Sequence, residues 1–330
     1  MKSVFTKLRN AKSFFALSGL LFLVMMSSVI IPEFRTLGNM MTILRQASTL
    51  LILSTGLTAV IITGGMDLSV GAVAAFIGCV CAQLLKMNVP IPVIFPIALF
   101  IGAVVGCLNG FMVSVVGLPS FVATYATNWV VKGLSIIVMS GSVIYGLPKG
   151  FTTLGVGYIG AFPIIIIFAA VVAILVYVFL QRTIWGRDIY SYGSNAEAAK
   201  YSAVNTHRTV FTAFILCSMS AGIGGLLMTA RLDAAEAAMG EAYGLQTVAA
   251  VVIGGTSMLG GEGGVAGTVV GAILLTVIVN IMNLMGISSS AQPMVMGIVI
   301  IVMVLFDTLS SSGSAKIKNR LKETGKIFQI

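Results

Sequence analysis

Long apolar runs dominate the chain, and short polar or glycine-rich stretches separate them. A helix needs about 20 mostly apolar residues to cross the hydrocarbon core of a bilayer, and runs of this kind recur from Phe14 to Phe306. The pattern predicts an all-α, polytopic membrane protein of about ten transmembrane helices. The predicted spans lie near residues 14–31, 46–63, 69–87, 91–116, 120–140, 163–181, 209–230, 244–259, 264–285 and 289–308.

Two glycine-rich breaks interrupt these runs. They are "ITGGMDLSVGAV", which begins at Ile62, and "VVIGGTSMLGGEGGVAGTVVGA", which begins at Val251. Interrupted helices at membrane depth are tolerated only where protein buries them or where they line a cavity, and transporters use the free helix ends to bind or gate. We therefore predict broken helices near Gly64–Ser69 and Gly254–Gly264. A tight cytoplasmic turn between neighbouring spans is the alternative.

Small residues also recur four positions apart within several spans. Examples are Gly102, Gly106 and Gly110, and the later series of Gly263, Gly267 and Gly271. Such faces let helices approach closely in lipid. They indicate ordinary helix packing in a tightly bundled protein.

Composition supports a membrane protein, since 58% of the 330 residues are hydrophobic and only 9% are charged. Most of the 19 basic residues fall in the two terminal segments and in the loop over residues 182–208. Cytoplasmic loops carry such an excess of Lys and Arg, so we expect both termini and this loop in the cytoplasm. No basic block has interleaved aromatic residues, so we expect no nucleic-acid binding.

The same topology places two larger loops on the outer side. They are the glycine-rich segment from Gly141 to Phe162 and the mostly acidic segment from Arg231 to Tyr243. Both are long enough to meet a partner protein.

Catalysis within the chain has no support in the sequence. There is no Ser/His/Asp set, no metal-ligand cluster and no pair of carboxylates within one segment, and the four cysteines lie in apolar runs without metal-ligand spacing. The chain also lacks the glycine-rich Lys-Ser or Lys-Thr loop that holds nucleotide phosphates. We expect a protein that is not an enzyme, with no catalytic residues, no metal and no cofactor of its own.

The sequence also bears on how transport would be powered. An ion-driven carrier usually has carboxylates or histidine inside its spans as a relay. The candidates here are Asp67 and Glu262 at breaks, Asp307 at the end of a span, and His207 in the basic loop. This pattern favours a permease powered by a separate ATPase, with an ion-coupled secondary carrier and a membrane scaffold without transport as alternatives.

A short helix is predicted within the basic loop. Ser194 and Glu197 have the S-x-x-E spacing of a capping box, so the helix should begin near Asn195 and continue through "AEAAKYSAV". It could dock into a groove of another protein or lie on the membrane surface as a connector.

Four segments carry a recognisable set of motifs. In chain order they read "GGMDLSVGAV", "GLPSFVATYAT", "GRDIYSYGSNAEAAKYSAV" and "AAVVIGGTSMLGGEGGVAGTVVGA". In this order they resemble the membrane permease subunits of bacterial sugar ABC importers, the ribose-type group that also serves xylose, galactose and autoinducer-2. The resemblance extends roughly from Phe14 to Asp307. Branched-chain amino acid permeases are more distant relatives with the same plan.

The resemblance implies one transmembrane permease domain over residues 1–330, with basic cytoplasmic tails at 1–13 and 309–330. It implies a location in the bacterial inner membrane and pairing with a second copy or a homologue. Two ABC ATPase subunits, or one fused ATPase, would carry ATP and Mg at the cytoplasmic face, and an extracytoplasmic sugar-binding protein would deliver the substrate. Branched-chain amino acids or nucleosides are the alternative substrates.

The resemblance also assigns roles to particular residues. The loop helix would be the coupling helix that meets the ATPase, with Gly193, Ser194, Asn195, Glu197, Ala198, Ala199 and Lys200. The residues expected at the helix breaks or along the translocation pathway are Asp67, Ser69, Asn109, Thr124, Asn128 and Gln246. The chain departs from the family at Tyr125 and Ala126, which replace the commoner Leu-Gly, and at Gly244 and Gln246, which replace acidic residues. These departures leave the substrate open.

Asp67 is the least expected residue of the first break. An aspartate facing lipid at mid-membrane would cost about 2.5–3.5 kcal/mol, and topology and resemblance together indicate that it faces protein. We expect it to cap the third span by accepting backbone N–H bonds near Ser69 to Gly71. Contact with a passing substrate is a secondary possibility.

Overall fold

A computed structural model describes residues 13–288, 290–299 and 301–302. The chain is all-α, as predicted. In chain order the helices are α1 (Ser13–Ile30), α2 (Leu37–Ile62), α3 (Val70–Lys86), α4 (Ile91–Ser114), α5 (Ser120–Met139), α6 (Lys149–Val156), α7 (Ile164–Arg182), α8 (Ile184–Ser194), α9 (Ala196–Tyr201), α10 (Thr206–Leu232), α11 (Glu241–Ile253) and α12 (Val265–Leu284). A short 3₁₀ helix, Pro32–Arg35, precedes α2.

Six of the described helices are long and apolar enough to cross a membrane, namely α2, α4, α5, α7, α10 and α12. Residues 16–30 of α1, together with α3 and α11, form shorter apolar helices. The protein is therefore a multi-pass membrane protein, and the count of ten spans stays a prediction. The tenth predicted span, near 289–308, lies partly outside the described residues; its residues 292–299 and 301–302 are helical.

The described residues up to Met285 form one compact unit, and the described residues from Gly286 onward form another. Within the first unit, α10 packs against α2, α3 and α4. The contact between α4 and α10 uses Gly102, Gly106 and Gly110, because a Cβ at any of these positions would lie 2.5–3.0 Å from an atom of α10. Close packing through this glycine series is thus confirmed.

Both predicted breaks are present. The first helix of each pair ends at Ile62 or Ile253, and the next begins at Val70 or Val265. Gly64, Gly255, Gly260, Gly261 and Gly263 have positive φ in these breaks, a conformation that glycine adopts at no steric cost. A helix could not continue through them.

The two predicted outer loops have more structure than the sequence indicated. Strand β1 (Ile144–Tyr145) pairs antiparallel with the strand Ala234–Ala235, which joins the two loops. Helix α6 and a hairpin of Tyr158–Ile159 with Phe162–Pro163 complete the first loop. We call this end of the first unit the sheet end.

Part of the second of these loops packs against the rest of the first unit. Ala235 is fully buried, and a Cβ on Gly240 would lie 1.9 Å from the carbonyl oxygen of Gly71. The segment therefore packs against the start of α3. Its run of small residues, which allows this packing, was the signal available in the sequence.

Helix α2 begins at Leu37, earlier than the predicted start near residue 46. Thr36 caps it, because its hydroxyl accepts a hydrogen bond from the Asn39 N–H at 3.3 Å. Asn39 also exchanges amide hydrogen bonds with Asn280 of α12, at 3.0 and 2.8 Å. Polar residues of the first turns hide this part of the helix from a hydropathy pattern.

Candidate functional site

Hydroxyl groups of α5 hold the first break in place. The Met66 N–H donates to the Ser120 Oγ at 3.0 Å, and the Leu68 N–H donates to the Thr124 Oγ1 at 3.1 Å. Backbone groups in a helix break have no intrahelical partner, and leaving them unpaired when buried is costly. The side chains of α5 therefore pair two backbone groups that a continuous helix would have paired.

Asp67 is fully buried. Its Oδ1 accepts hydrogen bonds from the Ser69 N–H at 2.8 Å and the Ser69 hydroxyl at 2.6 Å. The predicted backbone bond is confirmed at Ser69, but Asp67 is not the capping residue of α3. Ser69 occupies that position and makes no side-chain cap bond; its hydroxyl donates to Asp67. Asp67 instead forms a turn within the break, of the kind that Asp side chains favour.

The hydrogen bonds continue from Ser69 into α4 and α5. Asn109 Nδ2 donates to the Ser69 Oγ at 3.0 Å, and Thr127 Oγ1 donates to Asn109 Oδ1 at 2.7 Å. We call Asp67, Ser69, Asn109, Thr124 and Thr127 the polar cluster; all five are buried. A buried network of this kind fixes the arrangement of the helices that it joins.

One atom of the polar cluster has no hydrogen bond. Asp67 Oδ2 is buried without a hydrogen-bond partner among the described residues, and the thiol of Cys217 on α10 lies beside the carboxylate. The cluster thus links the break to α4 and α5 and borders α10.

The structure brings together four of the six predicted pathway residues, Asp67, Ser69, Asn109 and Thr124. Asn128 lies apart from them, in a cavity of about 250 Å³ lined also by Ala72, Trp129, Lys132, Ala237 and Glu241. Gln246 is partly exposed on α11. Sequence reasoning missed Thr127, Trp129, Lys132 and Glu241. Lys132 had a clear signal, because a charged residue inside a predicted span is a candidate functional position.

The predicted coupling segment meets both breaks at a single point. The Gly261 N–H donates to the Ile62 carbonyl at 2.8 Å. A Cβ on Gly193 would lie 1.8 Å from the same carbonyl oxygen, and one on Gly260 would lie 2.8 Å from the Gly64 nitrogen. We call Ile62, Gly64, Gly193, Gly260 and Gly261 the junction, and this end of the first unit the junction end. Only glycine lets three backbone segments approach this closely.

Tyr190 strengthens the contact between α8 and the second break. Its hydroxyl donates to the Gly263 carbonyl at 2.9 Å and accepts from Gln181 Nε2 at 3.2 Å. Burial raises the pKa of the Tyr190 phenol, so the group keeps its proton at neutral pH and remains a donor. Sequence reasoning missed α8, which precedes the predicted loop helix.

The predicted loop helix is present as α9, but it is shorter and has a different cap. Asn195 Oδ1 accepts from the Ala198 N–H at 2.9 Å, whereas Ser194 ends α8 and donates to the Tyr190 carbonyl at 2.9 Å. The helix ends at Tyr201 rather than at Val204, because Ala203 has a positive φ of 61°. Asparagine caps a helix as well as serine does. The capping-box pattern therefore predicted the start of the helix correctly but assigned the cap to the wrong residue.

Most of the predicted coupling residues are accessible. Ser194, Asn195, Glu197, Ala198 and Lys200 are exposed, as is Tyr201 at 91%. Ala199 is buried and anchors the helix, and Gly193 is half-buried at the junction. Within the described ranges, no group of three or more His, Cys, Asp or Glu side chains is close enough to hold a metal ion.

Comparisons with known proteins identify the family. The family model described as the permease component of the branched-chain amino acid transport system matches residues 39–304. The ribose import permease of Haemophilus influenzae is 35% identical over 300 residues, covering 90% of this chain and 92% of the relative. The ribose import permease of Bacillus subtilis is 36% identical over 296 residues, covering 89% and 92%.

A galactose/methyl galactoside import permease of Haemophilus influenzae is 33% identical over 297 residues, covering 84% of this chain and 88% of the relative. No solved structure matches the chain. The chain therefore belongs to this family of import permeases, and the resemblance drawn from its four motifs is confirmed.

Proposed function

We propose that this import permease is the membrane-spanning subunit of a bacterial ABC importer for a ribose-like monosaccharide or a related sugar. An extracytoplasmic binding protein delivers the sugar, and separate ATPase subunits power its passage. The observation that carries the proposal is the similarity along nearly the whole chain to permeases named for ribose. Branched-chain amino acids remain the second candidate, because the matching family model is named for them.

In the proposed arrangement the chain is one permease domain of about ten spans in the inner membrane, with both termini and the junction end in the cytoplasm. The basic loop over 182–208 contains α8 and α9, and the excess of basic residues in cytoplasmic loops supports this orientation. ATP and Mg bind to the ATPase subunits and not to this chain. A second copy or a homologue completes the translocation pathway.

The exposed face of α9 suits docking of an ATPase. Glu197 and Lys200 border a groove of about 260 Å³ that extends to Val113 on α4 and His207 on α10. A docked partner would therefore contact α9 and the ends of two long helices at once. This geometry favours the docking interpretation over a connector that merely lies on the membrane.

The junction offers a route from α9 to the pathway. A movement of α9 displaces α8, and Gly193 of α8 lies against Ile62 and Gly261. These residues begin the first break and lie within the second, so both breaks move with α8. The first break continues into Asp67 and Ser69, which are bonded to Asn109 on α4. Switching by repacking such discrete contacts is a recurrent way of coupling distant sites.

Uptake by the reconstituted complex tests the proposal. Proteoliposomes would contain the permease, its ATPase and its binding protein, and they would be assayed with radiolabelled D-ribose and, separately, leucine. We expect uptake of ribose that requires ATP and persists when ionophores dissipate the ion gradients. Uptake without ATP that collapses with the gradient would identify a secondary carrier. ATP-dependent uptake of leucine alone would assign the second candidate.

A further inference from the structure

Helix α5 carries a charged residue, Lys132, inside a candidate membrane span. Lys132 forms an ion pair with Glu241 at the start of α11. Lys132 lies seven residues before the end of α5 at Met139, about 10 Å along the helix axis. The side chains of Lys132 and Glu241 are 27% and 56% exposed, so neither is enclosed by the described residues.

Charged groups at this depth do not face lipid without a large cost, and they almost always face a bundle interior or a water-filled cavity. Trp129 and Lys132 border the same cavity of about 250 Å³ as Asn128 and Glu241. This face of α5 is therefore expected to face water or protein. An alternative in which the aromatic residues of α5 face lipid leaves the ion pair of Lys132 and Glu241 unexplained.

Aromatic rings extend from this cavity along the same helix. Trp129 packs edge-on against Tyr125 with ring centroids 6.3 Å apart, and Tyr125 stacks on Phe121 at 5.9 Å. Lys132 lies over the Trp129 ring at 5.1 Å from its centroid. All three rings are about half exposed. They form a ladder that descends from the cavity toward the junction end.

We propose that the cavity bounded by Asn128, Trp129, Lys132 and Glu241 binds one monosaccharide weakly during import, with the sugar ring on the indole of Trp129. The proposal rests on the proposed function. An aromatic face is electron-rich and attracts the C–H groups of a sugar ring. The amide of Asn128, the ammonium of Lys132 and the carboxylate of Glu241 can donate to and accept from neighbouring hydroxyls.

The size and charge of the cavity suit a small neutral solute. Its volume is below the roughly 300–1,000 Å³ typical of pockets for drug-sized ligands. Lys132 and Glu241 balance each other, and a sugar can bond to both without separating them. Leucine, in contrast, has neither a sugar ring to stack on the indole nor hydroxyl groups for these three side chains. Beyond Trp129, the rings of Tyr125 and Phe121 offer the next apolar surfaces for a sugar that moves toward the junction end.

Cysteine labelling tests whether water reaches the face of α5 that contains Trp129. In the full-length permease, with exposed Cys107 replaced by serine, we compare Trp129→Cys with Leu175→Cys in right-side-out and inverted vesicles, using a charged maleimide. Leu175 is a matched control, because it is 64% exposed in the middle of the strongly apolar α7. Tyr201→Cys, on exposed α9, shows that the reagent works. We expect labelling at position 129 and none at 175.

Sugar contact is tested in the same vesicles and by uptake. D-ribose at millimolar concentration should slow labelling of Ala237→Cys, a variant that keeps Trp129 and places the thiol in the same cavity, and leucine should not. In the reconstituted complex, Trp129→Ala should lower ribose uptake about tenfold, whereas Trp129→Phe and Leu175→Ala should keep most of it. The recovery with phenylalanine separates stacking from a loss of folding.

Several results would overturn the inference. Water access is contradicted if position 129 is not labelled while Tyr201→Cys reacts, or if positions 129 and 175 are labelled equally. Sugar contact is contradicted if ribose does not slow labelling in the cavity, or if Trp129→Ala and Leu175→Ala give equal uptake. If the wild-type complex imports no ribose, the proposed function itself fails. If it imports ribose and only the Trp129 results fail, the cavity is not a sugar contact and the proposed function stands.

Discussion

Asp67 makes its two hydrogen bonds through one oxygen. Oδ1 accepts from both the N–H and the hydroxyl of Ser69, while Oδ2 has no hydrogen bond within the described chain. What the break needs from this residue is therefore an acceptor atom rather than a negative charge. The side chain is also fully buried, so substrate cannot reach it in this conformation.

Replacing Asp67 separates the acceptor from the charge. Asp67→Asn keeps an oxygen for Ser69 and should retain most folded protein and uptake. Asp67→Leu leaves the N–H and hydroxyl of Ser69 without this acceptor, at about 1–3 kcal/mol for each buried group, and should lower the yield of folded permease. Fluorescence-detected size-exclusion chromatography of solubilised membranes measures the yield.

Glu33→Leu is the control for Asp67, since it removes an exposed carboxylate. A loss with Asp67→Asn as large as that with Asp67→Leu would show that the charge itself is required.

At the scale of elements, helix α8 buries Ile189 in the core and reaches both breaks through close backbone contact at Gly193. Its Gly193 lies directly against the end of α2 and the loop before α12. Tyr190 adds a side-chain bond to that loop, at the Gly263 carbonyl. The fit of α8 to both breaks thus depends on the absence of a single methyl group.

Adding that methyl group is a direct test. Gly193→Ala places a Cβ 1.8 Å from the Ile62 oxygen if nothing moves, so the junction must open, and overpacking of this kind typically costs about 1–3 kcal/mol. We expect a lower Tm in detergent and reduced uptake per ATP hydrolysed. Gly133→Ala is the matched control, because Gly133 also lies in a helix and has open space around its Cβ position. An unchanged Tm and coupling ratio for Gly193→Ala would contradict this account of the junction.

At the scale of the whole molecule, the exposed turn of α9 projects from the end where the breaks meet. Its only buried residue is Ala199, so the rest of its surface is free for a partner. Docking through α9 would place the partner directly beside the junction. The position of this six-residue helix beside the junction, rather than its length, is what would make it suitable for the proposed coupling.

Charge and bulk on α9 should therefore disrupt assembly. Glu197→Arg combined with Ala198→Arg should reduce co-purification of the ATPase at least about tenfold, while the permease remains folded. Thr153→Arg on α6, an exposed position near the sheet end, should leave it unchanged. Undiminished co-purification of the α9 variant would refute docking at α9.

Much of this arrangement was readable from the sequence, and the remainder depends on tertiary contact. Glycine-rich breaks and apolar runs predicted where α2, α3, α11 and α12 end or begin, because backbone conformation and lipid exposure are local constraints. The pairing of Asp67 with Ser69 was also local. The bond from Asn109 to Ser69 spans 40 positions, and the meeting of Gly193 with Ile62 and Gly261 spans more. No periodicity within one segment encodes such contacts.

The junction also bears on how family members can be recombined. Its closest contacts join backbone atoms of three segments, so they require small residues but no particular partner side chain. A loop over residues 182–208 transplanted from a relative would need glycine at position 193 in order to pack at the junction. The exposed residues of α9 place no such requirement on the junction. The glycine that lets this loop pack is thus separate from the exposed residues that would contact a partner. A permease could therefore acquire a different ATPase without changes in its core.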